Sequence, residues 1–151
     1  MTKLKDHIRD YATNAFRFYA KLGMSTEQYK EKIRKEALET IAKREGRLKS
    51  GGSPTEAMLM NAEKEVQAHI AEIMDLEAVE KTLAEFKSKS SIYEKLIQEV
   101  YFTDPDKELE KGDISKRVVK AALDFHMSER SIYYELKKAR TLFAYNRGLK
   151  L

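Results

Sequence analysis

The sequence predicts an all-α protein, and three features support that prediction. The 151 residues include only two prolines and six glycines, and alanine, leucine, glutamate and lysine are abundant. Apolar residues recur at steps of three and four, whereas the alternating β-branched runs typical of strands are missing. With 42% hydrophobic and 36% charged residues, the chain is long enough for one ordinary core or two small ones.

Residues 1–50 predict an N-terminal helical hairpin. The first helix runs from about Leu4 to Leu22 and ends at Gly23, and the second begins at a cap of Ser25 or Thr26 and runs to about residue 49. Each helix has an apolar stripe, so the two can close on each other. The stripe residues are Leu4, Ile8, Tyr11, Ala15, Phe18, Tyr19 and Leu22 in the first helix, and Tyr29, Ile33, Ala37, Leu38 and Ile41 in the second.

The stretch "SGGSP" at 50–54 marks the main boundary of the chain, because its glycines are flexible and its proline suits the first turn of a helix. One long connecting helix is predicted over 54–88. Its apolar positions follow a mean step of about 3.4 residues, near the coiled-coil value of 3.5. They are Leu59, Ala62, Val66, Ile70, Ile73, Leu76, Val79, Leu83 and Phe86. Either the N-terminal hairpin covers this stripe, or a homodimer forms through 54–88.

The remaining residues, 89–151, predict a third region with three short helices. The first runs from Ser91 to Phe102, and the acidic connection "TDPDKELEKGD" follows at 103–113. Helices over 114–125 and 128–145 then end the chain. Net charge alternates along the sequence: +6 over residues 1–50, −8 over 51–113 and +6 over 114–151, which sums to the total of +4. This pattern is typical of a chain that offers one surface to phosphates and another to protein.

The two last helices meet the requirements of a helix-turn-helix. Such a motif needs a small residue where the helices touch, apolar side chains on both, and a turn of about three residues. Ala122 is the small residue, and Ser128 is the predicted N-cap of the second helix. The turn position that usually takes glycine is His126, a residue type that tolerates a positive φ better than most. The predicted buried stripe is Ile132, Leu136, Ala139 and Phe143.

The stretch "SERSIYYELKKARTLFA" at 128–144 therefore predicts a helix with a basic outer side. A rotation of about 100° per residue places Arg130, Tyr134, Lys137 and Thr141 opposite Ile132, with no acidic residue among them. Such a surface suits the major groove of double-stranded DNA. The predicted base-reading residues are Arg130, Tyr133, Tyr134 and Lys137. The predicted phosphate-contacting residues are Lys116, Arg117, Lys120, Ser128, Lys138 and Arg140.

Two stretches of the C-terminal half resemble a known group of transcription proteins. "IYEKLIQEVYF" at 92–102 and "MSERSIYYELKKARTLFAYNRGL" at 127–149 are similar to region 4 of bacterial sigma factors, and more closely to phage late-transcription regulators of the ArpU-like type. The resemblance implies a sigma region 4-like helix-turn-helix that binds a promoter or operator of a phage or prophage, read by residues 128–138, with RNA polymerase as a further partner. The acidic connection at 103–113 and the N-terminal half depart from the sigma pattern.

Several function classes have no support in the sequence. None of the common nucleotide, metalloprotease or hydrolase motifs occurs, so we predict no enzyme, no catalytic residue, no cofactor and no metal site. The absence of cysteine fits a reducing, cytoplasmic location, and no apolar run reaches the roughly 20 residues of a membrane span. The sequence therefore favours a DNA-binding transcription regulator. The alternative is a helical oligomeric interaction protein or a DNA-packaging adaptor similar to a small terminase subunit.

Overall fold

A computed structural model shows an all-α protein and describes residues 2–45 and 55–149. Within these ranges the chain forms seven helices: α1 Thr2–Leu22, α2 Thr26–Glu45, α3 Glu56–Ala68, α4 Ile70–Lys89, α5 Ser91–Tyr101, α6 Asp113–Phe125 and α7 Glu129–Arg147. The predicted fold class is thus confirmed. The "SGGSP" stretch, where the sequence placed its main boundary, lies outside the described residues. The first turn of α3 is instead capped by Thr55, whose hydroxyl accepts a hydrogen bond from the Met58 amide at 3.2 Å.

The chain divides into two compact units in a way that the sequence did not indicate. The first unit combines residues 1–23 with residues 75–151, and the second comprises Met24–Met74. The expected hairpin is therefore divided, because α1 belongs to the first unit and α2 to the second. Within the first unit α1 packs on α5 and α7, and within the second α2 packs on α3. Periodicity shows which side of a helix is apolar, and it leaves open which other helix covers that side.

The predicted helix over 54–88 is interrupted at His69. Its backbone leaves the helical region (φ −101°, ψ 16°), and its N–H donates to the carbonyl of Val66, three residues back, at 3.0 Å. The interruption changes which residues are buried. Leu59 and Ile70, both predicted in the stripe, are 49% and 41% exposed, whereas the remaining stripe residues are buried. The stripe was consistent with one straight helix, and no glycine or proline marks the break.

The core of the first unit is built from α1, the second part of α4, and α5 to α7. Phe16 is fully buried and stacks on Tyr101, with ring centroids 5.4 Å apart, and it also contacts Phe143 at 5.7 Å. On α1 the buried side differs from the predicted stripe: Ala12, Ala15 and Phe16 are at most 5% exposed, while Tyr11 is 37% exposed. The two alanines allow α1 to lie close to its neighbours, since small side chains permit a short interaxial distance.

Candidate nucleic-acid interface

The turn between α6 and α7 has the geometry that the sequence predicted. His126 ends α6 in the left-handed region (φ 54°, ψ 45°), and the Met127 amide donates to the carbonyl of Ala122 at 3.0 Å. Ser128 then caps α7, because its hydroxyl accepts a hydrogen bond from the amide of Ser131 at 3.1 Å. Three residues thus reverse the chain between two helices that pack against each other.

One side of α7 is anchored in the core. Ile132, Leu136, Ala139 and Phe143 are all 0% exposed, which confirms the predicted stripe. The C-terminal end of α7 is also held by polar contacts: the Arg147 Nε donates to Asp75 at 2.6 Å, and the Asn146 amide donates to the Thr82 hydroxyl at 3.1 Å. The orientation of α7 is consequently fixed along its whole length within the first unit.

The opposite side carries the four residues predicted to read bases, and we call these four the outer face of α7. Arg130 and Lys137 are exposed, and Tyr133 and Tyr134 are 42% and 62% exposed. Arg130 and Lys137 form no ion pair or side-chain hydrogen bond with any residue that the structure describes. Their donor groups are therefore available to a ligand.

The two tyrosines of the outer face are held in different ways. The Tyr133 hydroxyl donates to the Ser115 hydroxyl of α6 at 3.4 Å, which links the two helices of the motif at their exposed edge. The ring of Tyr134 lies 5.0 Å from the Lys138 ammonium, a cation–π distance. Because that cation occupies one surface of the ring, Tyr134 is better placed to donate from its hydroxyl than to be sandwiched between unstacked bases.

The acidic residue within this stretch of α7 is kept off the outer face. Glu135 is 7% exposed, and its carboxylate forms an ion pair with the Lys138 ammonium at an Oε2–Nζ distance of 3.1 Å. Lys138, predicted to contact phosphate, is therefore already neutralised within the protein. Glu135 therefore takes little charge from the outer face, and the one exposed carboxylate of α7 is Glu129, which directly precedes Arg130 in the first turn.

The other predicted phosphate contacts fall into two groups. Lys116 is exposed and forms no ion pair with the described residues, and Ser128 is exposed at the start of α7. Lys120 instead bridges Glu99 at 3.0 Å and Asp124 at 3.4 Å. Its hydrogen bonds to these two carboxylates raise the pKa of Lys120, while burial is the main cause of the raised pKa of Glu99. The Lys120 charge is thus largely balanced before any ligand binds.

Arg117 and Arg140 point to the protein rather than to solvent. Arg117 donates to the carbonyl of Val100 at 3.0 Å, and Arg140 donates to the hydroxyl of Tyr101 at 2.9 Å. Both acceptors lie in the last turn of α5. These arginines therefore fix α5 against α6 and α7, which is a positioning role that the sequence pattern did not reveal.

Arg17 is a further positioning residue that the sequence reasoning missed. It is 7% exposed, and its guanidinium donates to four backbone carbonyls: Tyr101 at 3.1 Å, Thr103 at 3.0 Å, Asp104 at 2.7 Å and Lys107 at 2.6 Å. Burial lowers the pKa of Arg17, and the charge of nearby Arg117 lowers it further. Arg17 thus closes the acidic connection onto the end of α5. An arginine next to Phe16 on the apolar side of α1 was the available signal.

Comparison of the chain with protein families, with curated proteins and with solved structures found no match. Over the described residues, no helix has the length and apolar character needed to cross a membrane. No group of three or more histidine and carboxylate side chains that could hold a metal ion occurs in the same part of the chain. The geometry of α6 and α7 is therefore the basis for inferring a function.

Proposed function

We propose that the chain is a sequence-specific DNA-binding transcription regulator that inserts the N-terminal half of α7 into the major groove of double-stranded DNA. The observation that carries the proposal is the outer face of α7. Two cations that form no ion pair or side-chain hydrogen bond with the described residues, and two exposed tyrosines, lie on one side of a helix whose opposite side is completely buried. The rigid turn at His126 and the Ser128 cap hold this face on a fixed scaffold.

The dimensions of the outer face fit a short DNA site. Arg130 and Lys137 are separated by seven residues, which is roughly 10 Å along a helix at 1.5 Å per residue. That length corresponds to about three base pairs at 3.4 Å per step. Both side chains can donate to the N7 and O6 atoms of guanine, with the bidentate geometry reserved for the Arg130 guanidinium. The tyrosine hydroxyls can donate to phosphate oxygens at the groove edge.

The electrostatics of the motif support a modest phosphate contribution. Of the six predicted phosphate contacts, Lys116 forms no ion pair with the described residues, whereas the Ser128 hydroxyl donates to Ser131 at 2.8 Å, and Arg117, Lys120, Lys138 and Arg140 also have internal acceptors. Few phosphates would then be neutralised by one copy of the chain. Since each neutralised phosphate contributes about −0.9 to the slope of log K against log salt, we expect a shallow slope for one copy.

The proposal is tested by removing the two cations of the outer face. Arg130→Ala with Lys137→Ala should reduce specific affinity by about 1–3 kcal/mol per base contact, and the melting temperature should change little because both side chains are exposed. Lys81→Ala with Lys87→Ala is the matched control, since it removes the same charge from exposed positions of α4. If both double variants bind a selected duplex as the parent does, α7 is not the reading helix.

A second candidate is a helical interaction protein or a packaging adaptor of the small-terminase kind. Four exposed apolar side chains on α3 and the start of α4 favour it: Leu59, Met60, Ile70 and Met74 are 41–59% exposed. An interaction protein without a DNA function would bind duplexes of any sequence weakly and lose them as salt rises. A phage or prophage origin and contact with RNA polymerase belong to the regulator proposal. Co-sedimentation with purified RNA polymerase tests the contact with that enzyme.

A further inference from the structure

The second unit buries few apolar side chains among its described residues. Only Ala62, Val66 and Ile73 are less than 5% exposed, and Tyr29, Ile33 and Met58 keep 7–9% of their surface in contact with solvent. A unit of about 50 residues is near the size at which one core gives marginal stability. The pair α2 and α3 therefore gains stability from any surface that covers its remaining apolar side chains.

Those side chains lie together on one flank of the pair. The Arg34 guanidinium donates to Glu63 at 2.5 Å, which places these two residues opposite each other on α2 and α3. Leu38 is one turn after Arg34, and Leu59 and Met60 are one turn before Glu63, so all three lie next to this bridge. Leu59 is 49% and Met60 59% exposed, and Leu38 is half-buried.

The direction of the two helices supports the same grouping. Tyr29, near the start of α2, packs against His69 at the end of α3 with ring centroids 6.4 Å apart, while Arg34 farther along α2 donates to Glu63 on α3. Higher numbers on α2 thus face lower numbers on α3, so the pair is antiparallel. Ile41, one turn beyond Leu38 and also half-buried, is then level with the first turn of α3. We call Leu38, Ile41, Leu59 and Met60 the α2–α3 apolar flank.

The charge of the unit indicates what covers this flank. Met24–Met74 contains nine lysines and arginines and nine glutamates, so its net charge is zero, whereas the whole chain carries +4. A surface that binds a nucleic acid or a strongly charged protein would carry an excess of one sign. A neutral unit that carries both signs matches a second copy of itself, since two such units add no net charge repulsion to each other.

We propose that two copies of the chain associate through the α2–α3 apolar flank, with the same surface used on both copies. The sequence suggested a dimer through the apolar stripe of residues 54–88. The second part of that stripe, on α4, is not accessible to another copy. Ala78, Val79, Leu83 and Phe86 are at most 7% exposed and belong to the core of the first unit. The inference concerns association in the absence of DNA, so it stands or falls independently of the proposed function.

Sedimentation of the full chain without DNA over a wide micromolar range tests the proposal. The parent should be a dimer, and Met60→Glu should raise the dissociation constant at least about tenfold, because a carboxylate that is hydrated in the monomer would lose its water in the interface. Leu123→Glu is the matched control: it adds the same charge at a side chain that is 73% exposed on α6, and the dimer should persist.

Thermal unfolding provides an independent measurement. The melting temperature of the parent should rise with protein concentration, and that of Met60→Glu should rise less over the same range, since the concentration dependence of the midpoint comes from association. Circular dichroism of both variants verifies that they remain helical. A parent that sediments as a monomer throughout the range, or a Met60→Glu variant that dimerises as tightly as the parent, would overturn the proposal.

Discussion

Replacement of Arg17 by methionine should destabilise the first unit without touching the outer face of α7. The variant loses four hydrogen bonds from the guanidinium to the carbonyls of residues 101, 103, 104 and 107, at 2.6–3.1 Å. Methionine keeps an apolar stem of similar length, so the packing next to Phe16 is largely retained. The bond to Tyr101 lies in buried surroundings, and the other three are only partly buried.

The magnitude follows from those surroundings. Loss of a hydrogen bond from a charged donor costs about 1.5–3 kcal/mol when water cannot reach the acceptor in the variant. The cost is much smaller when a water molecule can take the place of the donor. Removal of the buried guanidinium also relieves its desolvation cost. The net loss is therefore about 2 kcal/mol. For a unit of about 100 residues this corresponds to roughly 10 °C in melting temperature.

Thermal unfolding followed by circular dichroism measures this loss. Lys21→Met is the control, because it makes the same kind of substitution at an exposed position of the same helix. Hydrogen exchange should also become faster in the acidic connection, whose amides lose their anchor. The reasoning would be refuted if Arg17→Met unfolded at the same temperature as Lys21→Met and left exchange over 103–112 unchanged.

Three further outcomes are expected. Lys116→Ala should weaken binding equally for all duplexes and reduce the slope of log K against log salt by about one. Titration at several salt concentrations measures both effects, and a loss that depends on the duplex sequence would instead assign Lys116 to a base contact. Phe143→Ala should cost about 3–5 kcal/mol in urea unfolding, because the ring is fully buried against Phe16, and a loss below about 1 kcal/mol would contradict the described core. Burial, followed by the hydrogen bond to Glu72, raises the pKa of Tyr29 from 10.0 to about 12. The folded state therefore binds the phenol proton of Tyr29 more tightly than the unfolded state does. The resulting stabilisation of the folded state is complete below pH 10 and is lost as the pH rises towards 12. Denaturant unfolding should show that the free energy of unfolding of the parent exceeds that of Tyr29→Phe by an amount that decreases over that pH range. A difference that stays constant with pH would exclude the hydrogen bond between Tyr29 and Glu72.

The C-terminal helices could be predicted because their ends carry local signals. Ser90 and Ser128 cap α5 and α7 through their own side chains, and Gly148 ends α7 with a φ of 82°. The buried stripe of α7 was equally predictable, since a strict three- and four-residue spacing leaves one side apolar. His126 took the positive φ at the position where the motif required it.

The partners of the helices could not be predicted, because they depend on contacts between distant parts of the chain. Arg17 finds its acceptors more than 80 residues further along, and its position next to Phe16 does not show which carbonyls it binds. The same holds for Arg117 and Arg140, which looked like phosphate ligands because their acceptors on α5 are invisible in the sequence. The break at His69 could not be predicted, because the apolar residues before and after it follow the same helical spacing.

Selection of bound duplexes from a random pool, followed by titration of the enriched duplex at several salt concentrations, tests most directly whether the outer face of α7 reads DNA. We expect one enriched sequence whose binding persists near physiological salt and is lost when Arg130 and Lys137 are both changed to alanine. The contrary result is a pool without enrichment, bound weakly and equally by parent and variant and released as salt rises. It would leave α6 and α7 with a basic surface and no reading function.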